Sequence, residues 1–267
     1  MTFVIPFPNI DPVLIGFGPF VVRWYALAYI AGLLLGWRLM RRLAVRPPEA
    51  ATLEDIDDFL VWATLGVVLG GRIGYVLFYN AAYYMAHPMA ALAVWQGGMS
   101  FHGGLAGVVV AGVLFCRKRK IPMLPFADRL ACVAPVGLFF GRVANFINGE
   151  LFGRVADVPW AVVFPRGGPS PRHPSQIYEA LGEGALLFAV LMWLARDERL
   201  RRRPGLLTGV FLAGYGAVRM VGELFRQPDA HIGFLGFGTT MGQWLSVPLL
   251  IAGFYLIGRA GRDAAGG

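Results

Sequence analysis

Charge is scarce in this sequence. Of its 267 residues only 15% are Asp, Glu, Lys or Arg, and 57% are hydrophobic. A soluble domain of this length carries about 25% charged residues, so an ordinary soluble core is excluded and a lipid-embedded protein is indicated. The mean hydropathy of +0.58 agrees. Lysine is nearly missing: of the 24 basic residues only Lys118 and Lys120 are lysine, the rest arginine. These residues come as short clusters between apolar runs. Such clusters report membrane topology rather than a nucleic-acid-facing stripe, despite a net charge of +8. Cysteine occurs twice, at Cys116 and Cys132, in or beside apolar runs. That provides neither a disulfide framework nor a metal site, and both read as small core residues. The histidines lack close ligand spacing, so no metal is expected. No basic residue precedes Arg23, so the n-region of a cleavable signal peptide is not expected. There is no Gly-x-Ser-x-Gly motif, and Ser100 and His102 point to different faces of a helix, so a serine protease site is not expected either.

What is present is a series of long apolar runs. A bilayer-crossing helix needs about 20 apolar residues, and seven runs qualify: about 20–40, 59–79, 99–116, 125–147, 176–195, 205–224 and 240–258. They do not alternate as barrel strands do, so they are helices. Basic residues follow the first run (Arg41, Arg42, Arg46), the third (Arg117 to Lys120), the fifth (Arg196, Arg199, Arg201, Arg202, Arg203) and the seventh (Arg259, Arg262). Basic loops mark the cytoplasm. The expected fold is therefore an all-α membrane protein of seven transmembrane helices in a single polytopic domain, N-terminus periplasmic and C-terminus cytoplasmic. Small cap segments lie outside: 80–98 is aromatic and small, and about 148–175 is rich in Gly and Pro, with a β-like piece at Trp160–Phe164.

Polar residues gather at the outer ends. Span 1 begins Arg23-Trp24-Tyr25. Span 2 contains Gly70-Gly71-Arg72 and ends near Tyr79-Asn80. Span 3 opens Ser100-Phe101-His102-Gly103-Gly104; His102 is the only histidine in a span, with His87, His173 and His231 in outer segments. Span 4 ends with Arg142, Asn145, Asn148, Gly149 and Glu150. Span 5 is preceded by His173-Pro174-Ser175 and opens Gln176-Ile177-Tyr178-Glu179. Span 6 carries Tyr215 and Arg219, then Glu223 and Arg226, within a helical stripe roughly 80° wide. Each charge taken singly reads as an interfacial anchor or an internal ion pair. Several on converging helices read as a functional site, because a charge in hydrocarbon costs at least a few kcal/mol, roughly. Arginine's planar fork suits a phosphate, so an anionic lipid headgroup is the expected ligand. The glycine runs allow close approach. An enzyme ranks first on this pattern. A transporter would show inverted repeats and a midplane site, and a scaffold would need no converging Arg, His and Glu.

Gly141-Arg142-Val143-Ala144-Asn145-Phe146-Ile147-Asn148-Gly149-Glu150-Leu151-Phe152-Gly153-Arg154 resembles the signature of the prolipoprotein diacylglyceryl transferases. So do Ser100 to Gly104, His173 to Glu179, and the stretch from Tyr215 to Phe225-Arg226-Gln227-Pro228-Asp229. The match covers nearly the whole chain in order. It implies an enzyme of the bacterial plasma (inner) membrane, with seven spans, the N-terminus outside and the site on the periplasmic side. The implied partners are phosphatidylglycerol and a prolipoprotein signal peptide bearing a lipobox cysteine, with no cofactor and no nucleic acid. The diacylglyceryl unit is transferred to the cysteine thiol, a thioether forms and glycerol phosphate leaves.

The family's essential arginines fall on Arg142 and Arg219, its proposed histidine on His102 and its proposed tyrosine on Tyr25. Asn145, Glu150, Gly153, Tyr215 and Glu223 match further important positions, and Asn148, Arg226 and Arg72 join them as candidate substrate-binding residues. The chain departs from the pattern at Ala26, where Gly is frequent, at Met220, where Phe or Ile is common, and in the short Gly/Pro-rich link from Phe164 to His173. Under this resemblance Arg142 and Arg219 hold the phosphate. The base is His102, with or without Tyr25, or else Glu150 or Glu223.

Overall fold

The computed structural model describes residues 5–8, 11, 13–17, 20–228 and 233–265. Asp229 and His231 of the sequence reading lie outside the described residues. A long helix stands at each of the seven expected places: α1 Trp24–Ala44, α2 Leu53–Phe78, α4 Phe101–Arg119, α5 Met123–Ile147, α6 Ser175–Leu194, α8 Leu206–Gly222 and α9 Met241–Ala265, with short α3 Ala81–Ala86 and α7 Glu198–Arg201 between them. Five of these, α2, α4, α5, α6 and α9, are long and apolar enough to cross a membrane. α8 is apolar but has only 17 residues. The protein is thus a mostly helical, multi-pass membrane protein. Among the described residues there are four short strands, β1 Ile5–Pro6, β2 Val13–Phe17, β3 Phe20–Arg23 and β4 Val162–Val163. β4 falls inside the expected β-like piece. The β2–β3 antiparallel pair moves the start of the first helix from about residue 20 to Trp24, because Phe20-Val21-Val22 is used as strand, the state β-branched residues favour.

The chain forms two compact units, residues 41–126 and residues 1–40 with 127–267. In the first, α2 starts at a capping box. The Thr52 hydroxyl accepts from the Asp55 N–H (3.1 Å), and the Asp55 carboxylate accepts from the Thr52 N–H (3.1 Å), satisfying two donors that a helix start leaves open. α2 packs on α4 through small residues: Gly66, Gly70 and Gly74 face Gly103, Gly107 and Ala111. A Cβ on Gly74 would stand 2.8 Å from the Gly103 Cα, and one on Gly107 would run into the Gly66 carbonyl. Close backbone approach is the principal way helices gain contact in lipid, where tails are as apolar as leucine. At the other end of the pair Arg41 pairs with Asp57, and Arg119 with Asp58 and Asp55. Arg72 is buried, and its guanidinium donates to the carbonyls of Ala90, Ala91 and Gly97 at 2.6–2.8 Å and of Gly98 at 3.2 Å. One side chain thereby organises segment 80–98, which exposes Met85, Met89 and Trp95.

In the other unit β1 pairs in parallel with β4, Ile5 opposite Val162. α1 meets α5 where a Cβ on Gly32 would lie 3.5 Å from the Gly137 Cα. α8 meets α9 through Gly209 and Gly253. Gly205, at the start of α8, has no side chain to cap it. The buried Asp128 of α5 does so instead, accepting from the N–H groups of Gly205 and Thr208 (2.8 Å each) and from the Thr208 hydroxyl (2.7 Å). A carboxylate there also suits the positive end of the helix dipole.

Candidate active site

A guanidinium inside a membrane span needs partners. Arg142, on α5, finds them on α6. Its Nη1 lies 3.0 Å from Glu179 Oε2, and its Nε and Nη2 donate to Glu183 Oε2 at 3.3 and 3.2 Å. Arg219, on α8, donates from Nη1 to Glu179 Oε1 at 2.7 Å, and its Nη2 lies 2.5 Å from Glu223 Oε1, one turn further on. Glu179 therefore bridges the two arginines. Glu179 Oε2 and Glu183 Oε1 make no hydrogen bond among the described residues; their cationic neighbours are Arg142 at 3.0 Å and Arg219 at 3.9 Å. All three carboxylates are buried, Glu183 completely, while the Arg142 and Arg219 side chains keep 15% and 14% of their surface exposed. A guanidinium has five N–H donors. The carboxylates accept from Arg142 Nε and Nη2 and from Arg219 Nη1, while Arg142 Nη1 with Glu179 and Arg219 Nη2 with Glu223 are ion pairs, so neither guanidinium spends all its donors on these carboxylates. Tyr215, one turn before Arg219, stacks on Phe211 and lies within electrostatic range of both arginines.

A second polar group follows α5. Gly149, at φ 62°, ends the helix in the left-handed region that glycine tolerates. The chain then turns so that Glu150 accepts from the amides of Asn145 (2.9 Å) and Asn148 (3.3 Å). Gln176, buried at the start of α6, donates to the Glu150 carbonyl at 2.7 Å. The Tyr25 hydroxyl is 3.0 Å from that of Tyr29, and Tyr25 lies within electrostatic range of Glu150.

The segment after Glu150 is stitched to the end of α8. Gly153 donates its N–H to the His173 carbonyl and forms an isolated bridge with Arg226. A Cβ there would stand 2.6 Å from the His173 Cβ and from the Phe225 carbonyl, so no larger residue fits without displacing backbone. Arg154 donates to the carbonyls of Arg226 and Glu223, both at 2.9 Å, and so caps the helix end that carries Arg219 and Glu223, where a cation has the favourable sign. His173 pairs with the Tyr178 hydroxyl at 3.1 Å, and desolvation holds its imidazole below the usual histidine range.

Arg142, Arg219, Tyr215 and Glu223 are thus brought together, with Asn145, Asn148 and Glu150 forming the neighbouring group and Gly153 and Arg226 joined through their backbones. The expected stripe on span 6 is interrupted. α8 ends at Gly222, so Arg226 lies past the helix, in the turn that meets Gly153. His102 and Arg72 belong to the 41–126 unit. His102 is exposed in the first turn of α4, its ring edge-on to Phe101, and the Arg72 guanidinium is engaged by backbone carbonyls, as described above. The motif His173 to Glu179 contains Glu179 but assigns it no role, and Glu183 lies beyond it. The signal for Glu183 was available: a lone carboxylate four residues after Glu179, inside an apolar span, is a functional flag by itself.

Fold and site together define a polytopic helical membrane protein with two arginines backed by buried carboxylates. The family model described as prolipoprotein diacylglyceryl transferase matches residues 12–259, and the chain belongs to that family. It is 59% identical over 266 residues to the phosphatidylglycerol–prolipoprotein diacylglyceryl transferase of Paramagnetospirillum magneticum, covering 99% of both chains. It is 58% identical over 269 residues to that of Rhodospirillum rubrum, covering 99% of this chain and 98% of the relative. With that of Gluconacetobacter diazotrophicus it shares 59% identity over 259 residues, 96% of this chain and 92% of the relative.

Proposed function

We propose that this chain transfers the diacylglyceryl group of phosphatidylglycerol to the thiol of the lipobox cysteine of a prolipoprotein, the first step of bacterial lipoprotein maturation. The observation that carries the reading is the pair Arg142 and Arg219, fixed by Glu179, Glu183 and Glu223 and still holding donors for a phosphate. The substrate cysteine supplies the sulfur, so neither Cys116 nor Cys132, both buried, takes part. Thiols react as thiolates, from a pKa of about 8.5. The thiolate attacks the glycerol carbon that carries the phosphate ester oxygen. A C–S bond forms, the C–O bond breaks, and glycerol phosphate departs with the electron pair. Arg142 and Arg219 bind that phosphate and stabilise the charge that grows on it, a preorganised donor set whose members are each worth about 10²–10³ in rate. Glu223 is engaged by Arg219 and Glu150 by the asparagine amides; His102, Tyr25 and these two glutamates are the candidate acceptors of the thiol proton.

The reading extends to topology. Seven spans with the N-terminus periplasmic and the C-terminus cytoplasmic in the inner membrane agree with the basic clusters that follow α1, α4, α6 and α9. Under that topology the arginine pair lies toward the periplasmic side, and the 148–175 segment is the cap over which the signal peptide docks.

The test is an assay on detergent-purified protein with phosphatidylglycerol and a synthetic lipobox peptide. The expected result is a peptide mass gain of one diacylglyceryl unit with release of glycerol phosphate, and no gain when the peptide cysteine is serine. A folded preparation that binds phosphatidylglycerol and leaves the cysteine peptide unmodified overturns the reading.

A further inference from the structure

Glu183 is completely buried inside a membrane-spanning helix, where a carboxylate is costly unless it is paired and useful. Three features of the structure converge on it. First, α6 widens into a π-helical turn over Ala180–Leu186, a rare geometry that concentrates at functional sites. Second, Glu183 stands between two glycines that permit unusually close packing. A Cβ on Gly182 would lie 2.5 Å from Val218 Cγ1 of α8, and one on Gly184 would lie 2.7 Å from the Phe139 Cβ of α5. Only hydrogen at both positions lets α6 wedge between α5 and α8 and carry a carboxylate to the arginines. Third, the contact is directional. Glu183 Oε2 receives both Nε and Nη2 of Arg142, the side edge of the guanidinium. Glu179 cannot substitute. It is shared between the two arginines and reaches Arg142 through Nη1 alone, a single point about which the guanidinium plane is free to turn.

We propose that Glu183 is a positioning residue for the transfer reaction: by gripping the Nε–Nη2 edge of Arg142 it orients the remaining Nη donors toward the phosphate leaving group. The proposal rests on the assignment of phosphatidylglycerol as the bound anion. Glu183 touches no substrate atom and acts through Arg142. Its loss therefore weakens the transition state, where charge grows on the phosphate, more than it weakens ground-state binding.

The experiment is steady-state kinetics of Glu183→Gln with phosphatidylglycerol and lipobox peptide, beside the thermal midpoint of the detergent-solubilised protein. Glutamine keeps the shape, replaces one acceptor oxygen by an NH₂ group and removes the charge. The expected result is a fall in kcat of about 10- to 100-fold with KM for phosphatidylglycerol within about threefold of the parent and the thermal midpoint maintained, because Arg142 keeps Glu179 as its counter-ion. Unchanged kcat overturns the proposal. So does a rise in KM that accounts for the whole loss of kcat/KM, since that is the mark of plain binding. If the glutamine variant fails to fold, Glu183→Asp decides. It keeps the charge but shortens the reach, so it is expected to lose about tenfold in kcat with KM held, and full activity in it overturns the proposal. The unmodified protein, run in parallel, separates this from the functional reading: absence of thioether product there fails the reaction assignment, not the role of Glu183.

Discussion

At the scale of single residues, the proposed chemistry rests on the arginine pair and its three carboxylates. Breaking a buried pair by deleting one partner costs about 3–5 kcal/mol, because a charge is left unpaired, so Arg142→Ala confounds catalysis with folding. Arg142→Lys keeps a cation beside Glu183 and Glu179 but removes the planar fork. It is expected to lower kcat by about 10²–10³-fold with little change in thermal midpoint. His102→Gln, at an exposed position, is expected to lose about 10²-fold or more if the imidazole is the base. Retention of most activity transfers that role to Tyr25 or a glutamate. Both are read in the same thioether assay. The arginines were legible in the sequence because a guanidinium within an apolar run is conspicuous. What holds them was only half legible: Glu223 stands one helical turn from Arg219, whereas Glu179 and Glu183 reach across from another helix, 40 and 41 residues distant from Arg219 and Arg142.

At the scale of elements, glycine decides which helices touch. α2 and α4 meet along Gly66, Gly70, Gly74, Gly103 and Gly107, and a side chain on Gly107 collides with the Gly66 carbonyl. Gly107→Leu is expected to force the two helices apart and to destabilise the protein by about 1–3 kcal/mol or more, visible as a lower thermal midpoint in detergent. Val109→Leu, at an exposed position of α4, is the control and should leave the midpoint unchanged. Helix existence was legible throughout, because an apolar run long enough to span a bilayer has no other stable form in lipid. The exceptions are instructive. The first long helix begins four residues late because Phe20 to Arg23 pair as a strand, and the sixth stops at Gly222, before Glu223 and Arg226, where the chain turns to meet Gly153.

At the scale of the whole molecule, orientation is the open quantity, and the basic clusters argue it. Cys116 and Cys132 are buried, which gives single-cysteine labelling a low background. Met89→Cys, at a residue 76% exposed in the 80–98 segment, is expected to react with a membrane-impermeant maleimide on intact spheroplasts. Arg202→Cys, at a side chain 62% exposed after α6, is expected to react only after permeabilisation. The reverse pattern inverts the topology and puts the arginine pair on the cytoplasmic side.

The sequence by itself determined the medium, the helices, the predicted sidedness and the cations of the site. Each of these follows from local physics: apolar length against bilayer thickness, basic residues against the translocation rule, arginine against phosphate. Only the tertiary structure decided what the cations rest on. It showed that Arg72 serves a loop of backbone carbonyls, that Gly153 is held to glycine by its approach to His173 and Phe225, and that Glu183 is brought to Arg142 by a π turn between two glycines. Those facts depend on which helix faces which and at what distance, and a linear pattern of hydrophobic and polar residues does not encode distance between helices far apart in the chain.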